Sequence, residues 1–261
     1  MLKKIVAIGG GENGRKLKDG NFAKYETGPM DEEIVRLTGK EHPNFLFLGH
    51  ASLIENQKKY FKSMRDIYNK KYGCDYKTIR SNEIDNEEKI NALLDWADII
   101  YEGGGNTLDM IELWEKTGFD KKLKKAWENG KVMCGISAGG NCWFKSCLSD
   151  SLKLKYGSNQ PFILVNCLNF VDVVFIPHCN EDDREKSIKE LLKGKDDIGI
   201  LLSNCAAIEI IGDEYKIITS DARNYKINAY AKKVFWKNNK YYEELLDLSN
   251  NYKKLKELLK K

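Results

Sequence analysis

A chain of 261 residues, 42% hydrophobic and 31% charged, is long enough to bury a sizeable core in one large α/β domain or two small ones. Its net charge of +4 comes from 43 Lys/Arg interleaved with 39 Asp/Glu, which reads as a solvated mixed-charge surface and argues against a nucleic-acid partner. No apolar run reaches bilayer-spanning length, and seven cysteines without a CxxC pair read as reduced core thiols of a cytosolic protein rather than as a disulfide framework.

Taken in chain order, short apolar runs alternate with longer amphipathic ones. The start, MLKKIVAIGG, is basic and then apolar like the front of a signal peptide. Its run is too short, and glycines stand where a cleavage site belongs, so a first core strand over 3–9 is expected. The GGGENG that follows (9–14) matches the dinucleotide fingerprint, but no apolar helical stripe comes directly after it. It is read as a glycine-rich loop at the edge of the sheet. Further strands are expected at 44–49, 76–81, 97–103, 131–136, 171–176 and 198–203, several of them apolar on consecutive residues, as in strands covered on both faces. Helical stripes fall on Tyr60, Met64, Ile67 and Tyr68, on Ile90, Leu93, Leu94 and Ala97, on Leu108, Ile111 and Trp114, on Phe119, Leu123, Ala126 and Trp127, and on Ile188, Leu191 and Leu192.

This alternation predicts an α/β fold with a mostly parallel sheet and helices on both faces. From about 206 the pattern alternates, with turn signals at Gly212-Asp213 and Asn238-Asn239, and antiparallel hairpins are expected there. The last run, NYKKLKELLKK, reads as a short basic amphipathic helix packed on the body. With four prolines and no composition break, a single domain over 1–261 is the economical reading.

Three constellations carry chemistry. Gly-Ile-Ser-Ala-Gly at 135–139 fits G-x-S-x-G, in which a strand turns sharply into a helix and small neighbours let the corner close. Ser137 is then a nucleophile at a carboxyl end of the sheet, with the Ala138 amide aimed at a developing oxyanion, and NCWFKS starts the helix. The alternative is an ordinary N-cap serine. At 101–114 a strand ends in Gly103-Gly104-Gly105 before Asn106-Thr107 opens a helix, which reads as an anion-binding nest or as a tight capped turn.

At 171–194 a strand runs through Pro177 into His178. Of three histidines, His42 sits in a charged turn and His50 ends the second strand, so His178 is the candidate base, with His50 within conceivable reach. An orienting partner is needed: Asp172 points away from the site, while Asp150 and Asn204 stand close as alternatives.

Strand-GGGNT-helix, strand-GISAGG-helix, SDS, and strand-PH-loop-Arg, in that order from the first strand to about 220, resemble the serine peptidase family of dipeptidase E and cyanophycinase. The resemblance implies a three-layer α/β/α fold of the class I glutamine amidotransferase type, flavodoxin-like, with Ser137 where the amidotransferases carry cysteine. It implies Ser137 as nucleophile, His178 as base, Asp150 as acid, and Gly104, Gly105 and Ala138 as oxyanion-hole amides. Cyanophycinase-like members place the acid where this chain has Asn204. Asn106 and Arg184 are the implied substrate contacts, Arg184 pairing with an acidic side chain. The expected partner is a small peptide, with no metal or organic cofactor, no nucleic acid and no membrane, and with a homodimer left open. Two rivals stand beside this reading: an α/β-hydrolase esterase, and a non-catalytic binding protein on the same fold.

Overall fold

A computed structural model describes residues 1–15, 17, 19–221 and 227–261. The strands are β1 (Lys4–Ile8), β2 (Asn44–Phe47), β3 (Asp75–Thr78), β4 (Ile99–Glu102), β5 (Val132–Ile136), β6 (Phe144–Ser149), β7 (Ile163–Asn166), β8 (Val171–Ile176), β9 (Ile198–Leu202), β10 (Ala206–Ile211), β11 (Glu214–Thr219), β12 (Ala231–Lys237), β13 (Lys240–Leu245) and β14 (Lys253–Lys254). The helices are α1 (Gly28–Arg36), α2 (Ile54–Arg65), α3 (Glu87–Trp96), α4 (Thr107–Thr117), α5 (Phe119–Glu128), α6 (Ala138–Asn141), α7 (Ser151–Tyr156), α8 (Arg184–Leu191) and α9 (Leu255–Leu258).

The class is α/β and each of the seven expected strands forms, but they divide between two sheets. The first runs β14-β11-β10-β1-β5-β4-β2-β3, with β1, β5, β4, β2 and β3 parallel. The second runs β13-β12-β9-β8-β6-β7, with β6, β8 and β9 parallel. Consecutive apolar residues are needed because both faces of the first sheet are covered. On β1, Val6 and Ile8 face α1 and α2 through Met30, Ile34 and Phe61, while Ile5 and Ala7 join the core shared with Phe144, Phe175 and Leu202 of the second sheet. The second sheet's other face packs Val174, Ile176 and Leu201 on Ile188 and Leu192.

Three readings change. The segment NCWFKS does not start a helix: α6 is a single turn, and Phe144 opens β6. Cys142, Trp143 and Phe144 are all fully buried, and a short apolar run of that kind is compatible with strand or helix until its neighbours are known. The two hairpins join different sheets, β10–β11 extending β1 and β12–β13 extending β9. Asn238 and Asn239 both have positive φ (51° and 58°), as the tightest hairpin turns require. Finally, the terminal segment forms β14 and a four-residue helix that buries Leu258. No helix among the described residues is long and apolar enough to cross a membrane.

Candidate active site

The site forms where the carboxyl ends of β1, β5, β8 and β9 meet. Ser137 leaves β5 with φ 55° and ψ −115°, a backbone state in which a side chain other than glycine's is strained. Its small neighbours answer to the backbone of β4. A Cβ on Gly135 would lie 2.5 Å from the Glu102 carbonyl oxygen, and one on Gly139 would lie 2.0 Å from it. The Ser137 carbonyl accepts from the amides of Gly140 and Asn141 at 2.9 and 2.8 Å, which closes the turn into α6. Among the described residues the Ser137 hydroxyl makes no hydrogen bond, an arrangement that leaves it open toward a ligand.

The GGGENG segment is not at a sheet edge. β1 lies between β10 and β5, and the loop after it anchors the site through three successive carbonyls. Ile8 accepts from the Ser137 amide at 3.0 Å, Gly9 from the His178 amide at 3.1 Å, and Gly10 from the Cys205 amide at 2.9 Å, next to Asn204. Gly10 lies against the His178–Asn204 pair: a Cβ there would come within 2.0 Å of Asn204 Oδ1 and 2.4 Å of His178 Nδ1.

His178 follows β8 through Pro177 and has φ 50°. Its Nδ1 lies 2.7 Å from Asn204 Oδ1, while Asn204 Nδ2 donates to Glu181 Oε1 at 2.5 Å. The carboxylate accepts only, so the amide's NH2 must face it and the amide oxygen must face the imidazole. Nδ1 therefore carries the proton in the neutral ring, and Nε2 is left with its lone pair. The Asn204 backbone N–H donates to Asn180 Oδ1 at 2.7 Å, which fixes the residue's place. Burial pulls the His178 pKa below its usual value; Glu181, with Oε2 3.9 Å from Nδ1, opposes that, and Arg184 adds to it.

Asp150 is not on this imidazole. Its carboxylate accepts from Arg184 Nη2 at 2.7 Å. Arg184 is 4% exposed and its guanidinium lies 4.8 Å from the centre of the Phe162 ring. Asp150 and Arg184, expected as the orienting acid and a substrate contact, are paired with one another here, a buried guanidinium answered by a carboxylate, and the group hydrogen-bonded to the imidazole is Asn204. Asn106 caps α4, its Oδ1 accepting from the Asp109 amide at 3.1 Å and its Nδ2 donating to the Ser151 carbonyl at 3.3 Å, so its side chain is occupied within the fold. His50 is a core residue: it accepts from Trp114 Nε1 at 2.9 Å, bonds the Ile79 carbonyl at 3.0 Å, and burial pushes it down to about 4.

The glycine turn after β4 stands beside Ser137. The Cβ direction of Gly104 points to Ser137 Cβ at 3.5 Å, and the Gly104 amide donates to the Tyr60 hydroxyl at 3.1 Å. Gly105 has φ +150° and passes so close to Ala51 that a Cβ would lie 2.1 Å from its carbonyl oxygen. Glu102 is 0% exposed, and its Oε1 accepts from the amides of Gly103 and Ala51 at 3.0 and 3.1 Å; burial pushes its pKa up to about 8. A cavity of about 740 Å³ opens beside Ile136 and His178, walled by Glu12, Arg15, Lys59, Tyr60 and Glu181. A larger hollow, about 940 Å³, runs between α7 and α8 and includes neither Ser137 nor His178.

Gly10, Tyr60, Glu102 and Glu181 escaped the sequence reading. Gly9-Gly10 directly after an apolar strand was the available signal, since paired glycines there mark close approach of another backbone or side chain.

These features define an α/β protein with an elbow-type serine and a histidine of set tautomer at adjoining strand ends. The chain belongs to peptidase family S51, whose family model matches residues 17–218, and is by that membership a peptidase. It is 28% identical over 231 residues to the uncharacterized peptidase YgaJ of Bacillus subtilis (strain 168), covering 87% of this chain and 92% of that one. Its fold is similar to a crystal structure of a peptidase from an acI-B1 Actinobacterium, with a TM-score of 0.70 at 18% identity over 97% of both chains. A protein named for peptidase E from Listeria monocytogenes EGD-e shares the fold at a TM-score of 0.60 and 19% identity, over 85% of this chain and 100% of that one.

Proposed function

We propose that this peptidase hydrolyses amide bonds of small peptides by a serine mechanism, with Ser137 as nucleophile, His178 as base and Asn204 as the residue that orients the base. The observation that carries the reading is the chain Glu181–Asn204–His178, which leaves the imidazole Nε2 as an acceptor while Ser137 and His178 hang from the successive carbonyls of Ile8 and Gly9. Ser137 Oγ attacks the amide carbonyl and its proton passes to His178 Nε2. The tetrahedral oxyanion forms beside the Ala138 amide and the turn at Gly104. As the C–N bond breaks, Nε2 returns the proton to the leaving amine, and an ester remains on Ser137. Water, deprotonated by His178, then releases the acid product and restores the serine.

A preference for acidic residues would no longer involve Arg184. The cations on the cavity wall are Lys59 and Arg15, and Arg15 is already bonded to both oxygens of Glu12 at 3.0 Å. Lys59 makes no ion pair among the described residues and is the cation available to a substrate carboxylate.

The test is reaction with a serine-directed phosphonate, followed by mass spectrometry, together with a dipeptide screen that includes N-terminal Asp. The expected result is an adduct on Ser137 and peptide turnover, with the acid limb of kcat/KM below the ordinary histidine value of 6.5 because the base form survives to lower pH. Absence of both adduct and turnover would overturn the assignment; turnover of esters alone would favour an esterase.

Asn204 and Asp150 are distinguished by substitution. Asn204→Ala frees the imidazole and is expected to lower kcat by about 10²-fold. Asp150→Asn is expected to lower stability by about 1–3 kcal/mol through the weakened bond to Arg184 while leaving kcat near that of wild type. Steady-state kinetics and thermal melts on both variants check this; the reverse pattern would restore Asp150 as the orienting group.

A further inference from the structure

Resting on that serine-peptidase reading, we infer that the phenol of Tyr60 is an oxyanion donor, acting in place of the Gly104 amide. Gly104 neighbours Ser137, a Cβ on it lying 3.5 Å from Ser137 Cβ, and its N–H is already spent: it donates to Tyr60 Oη at 3.1 Å. Tyr60 Oη makes no other hydrogen bond among the described residues. Having accepted from Gly104, the phenol keeps its own proton free to donate, and Tyr60 belongs to the wall of the cavity that His178 also lines.

The position of the ring is built into the fold. Tyr60 packs edge-on against Phe47, with centroids 4.9 Å apart at 65°. Its ring also fills the space that a side chain at 103 would occupy, a Cβ there lying 2.5 Å from Tyr60 Cε1 and 2.8 Å from Cζ. Gly103 thus serves to let the phenol reach the turn. A backbone N–H donating into an O–H group polarises it, so the hydroxyl becomes a better donor to an anion than an isolated phenol. Burial also keeps it protonated, its pKa pushed up to about 12.

The test is Tyr60→Phe, which removes one oxygen and leaves the ring in place beside Gly103. The expected result is a fall in kcat of roughly 10²-fold with KM little changed, since the lost bond forms only in the transition state. A peptide aldehyde, which adds to Ser137 to form the same tetrahedral oxyanion, is expected to lose affinity by the same factor. A thermal melt establishes that the variant is folded. If kcat and aldehyde affinity are unchanged or raised, the phenol only blocks the Gly104 amide and the inference fails, while phosphonate labelling of Ser137 still stands. If wild type itself is not labelled at Ser137, the serine reading fails and this inference goes with it.

Discussion

On the proposed serine mechanism, Ser137→Ala is expected to lower kcat for a peptide substrate by about 10⁶-fold, because a nucleophile in a coupled set contributes nearly the whole of that set's rate effect. The backbone argues that the fold survives. Alanine keeps the Cβ at φ 55° and ψ −115°, and the hydroxyl that is lost bonds nothing among the described residues. Thermal stability is therefore expected to stay within about 0.5 kcal/mol of wild type. Residual turnover should come from substrate binding and the oxyanion donors alone. Product formation by mass spectrometry, paired with a thermal melt, reads both quantities. An alanine variant with wild-type kcat would remove Ser137 from the chemistry whatever its backbone looks like.

Gly10→Ala is the second large effect expected, and it comes from a residue that would touch no substrate. The added methyl would lie 2.0 Å from Asn204 Oδ1 and 2.4 Å from His178 Nδ1, far inside contact distance for both. The clash cannot be relieved cheaply. Gly10 is tied through its carbonyl to Cys205, His178 through its amide to Gly9, and Asn204 through its amide to Asn180. The imidazole and the amide must part, which loses the tautomer set by the 2.7 Å bond between them. A loss of kcat of about 10²-fold or more is expected from such a displacement, with about 1–3 kcal/mol of stability lost to overpacking. Kinetics and a melt measure it. Full activity in the alanine variant would mean that the imidazole–amide contact does not govern the reaction.

Much of the frame was legible because it rests on periodicity and on small residues. Runs such as Ile5 to Ile8 are apolar throughout only where both faces of a strand are covered, and they became β1, β5, β8 and β9. The elbow was legible for the same kind of reason: Gly135 and Gly139 must be small because β4 crosses within 2.5 Å of where their Cβ atoms would be. The division into two sheets was not legible. Whether Phe144 continues a helix or opens a strand depends on Phe175 and Val171 lying opposite it, and those residues are far along the chain.

By itself, then, the sequence determined the α/β class, the strand ends on which chemistry can sit, Ser137 at a corner that only small neighbours permit, and His178 as the histidine after a strand-terminating proline. Only the tertiary structure decided the pairings: Asn204 rather than Asp150 on the imidazole, with Gly10 against both, Arg184 on Asp150, and Tyr60 on Gly104. The physical reason is range. Periodicity and turn strain act over a few residues and leave their mark on composition, whereas hydrogen-bond partnership is decided within a few tenths of an ångström between segments that share no local pattern. Asp150 and Asn204 are both open as neighbours of the histidine until two sheets are packed, the family resemblance favouring Asp150, and the packing gives the buried guanidinium the carboxylate and the imidazole the amide.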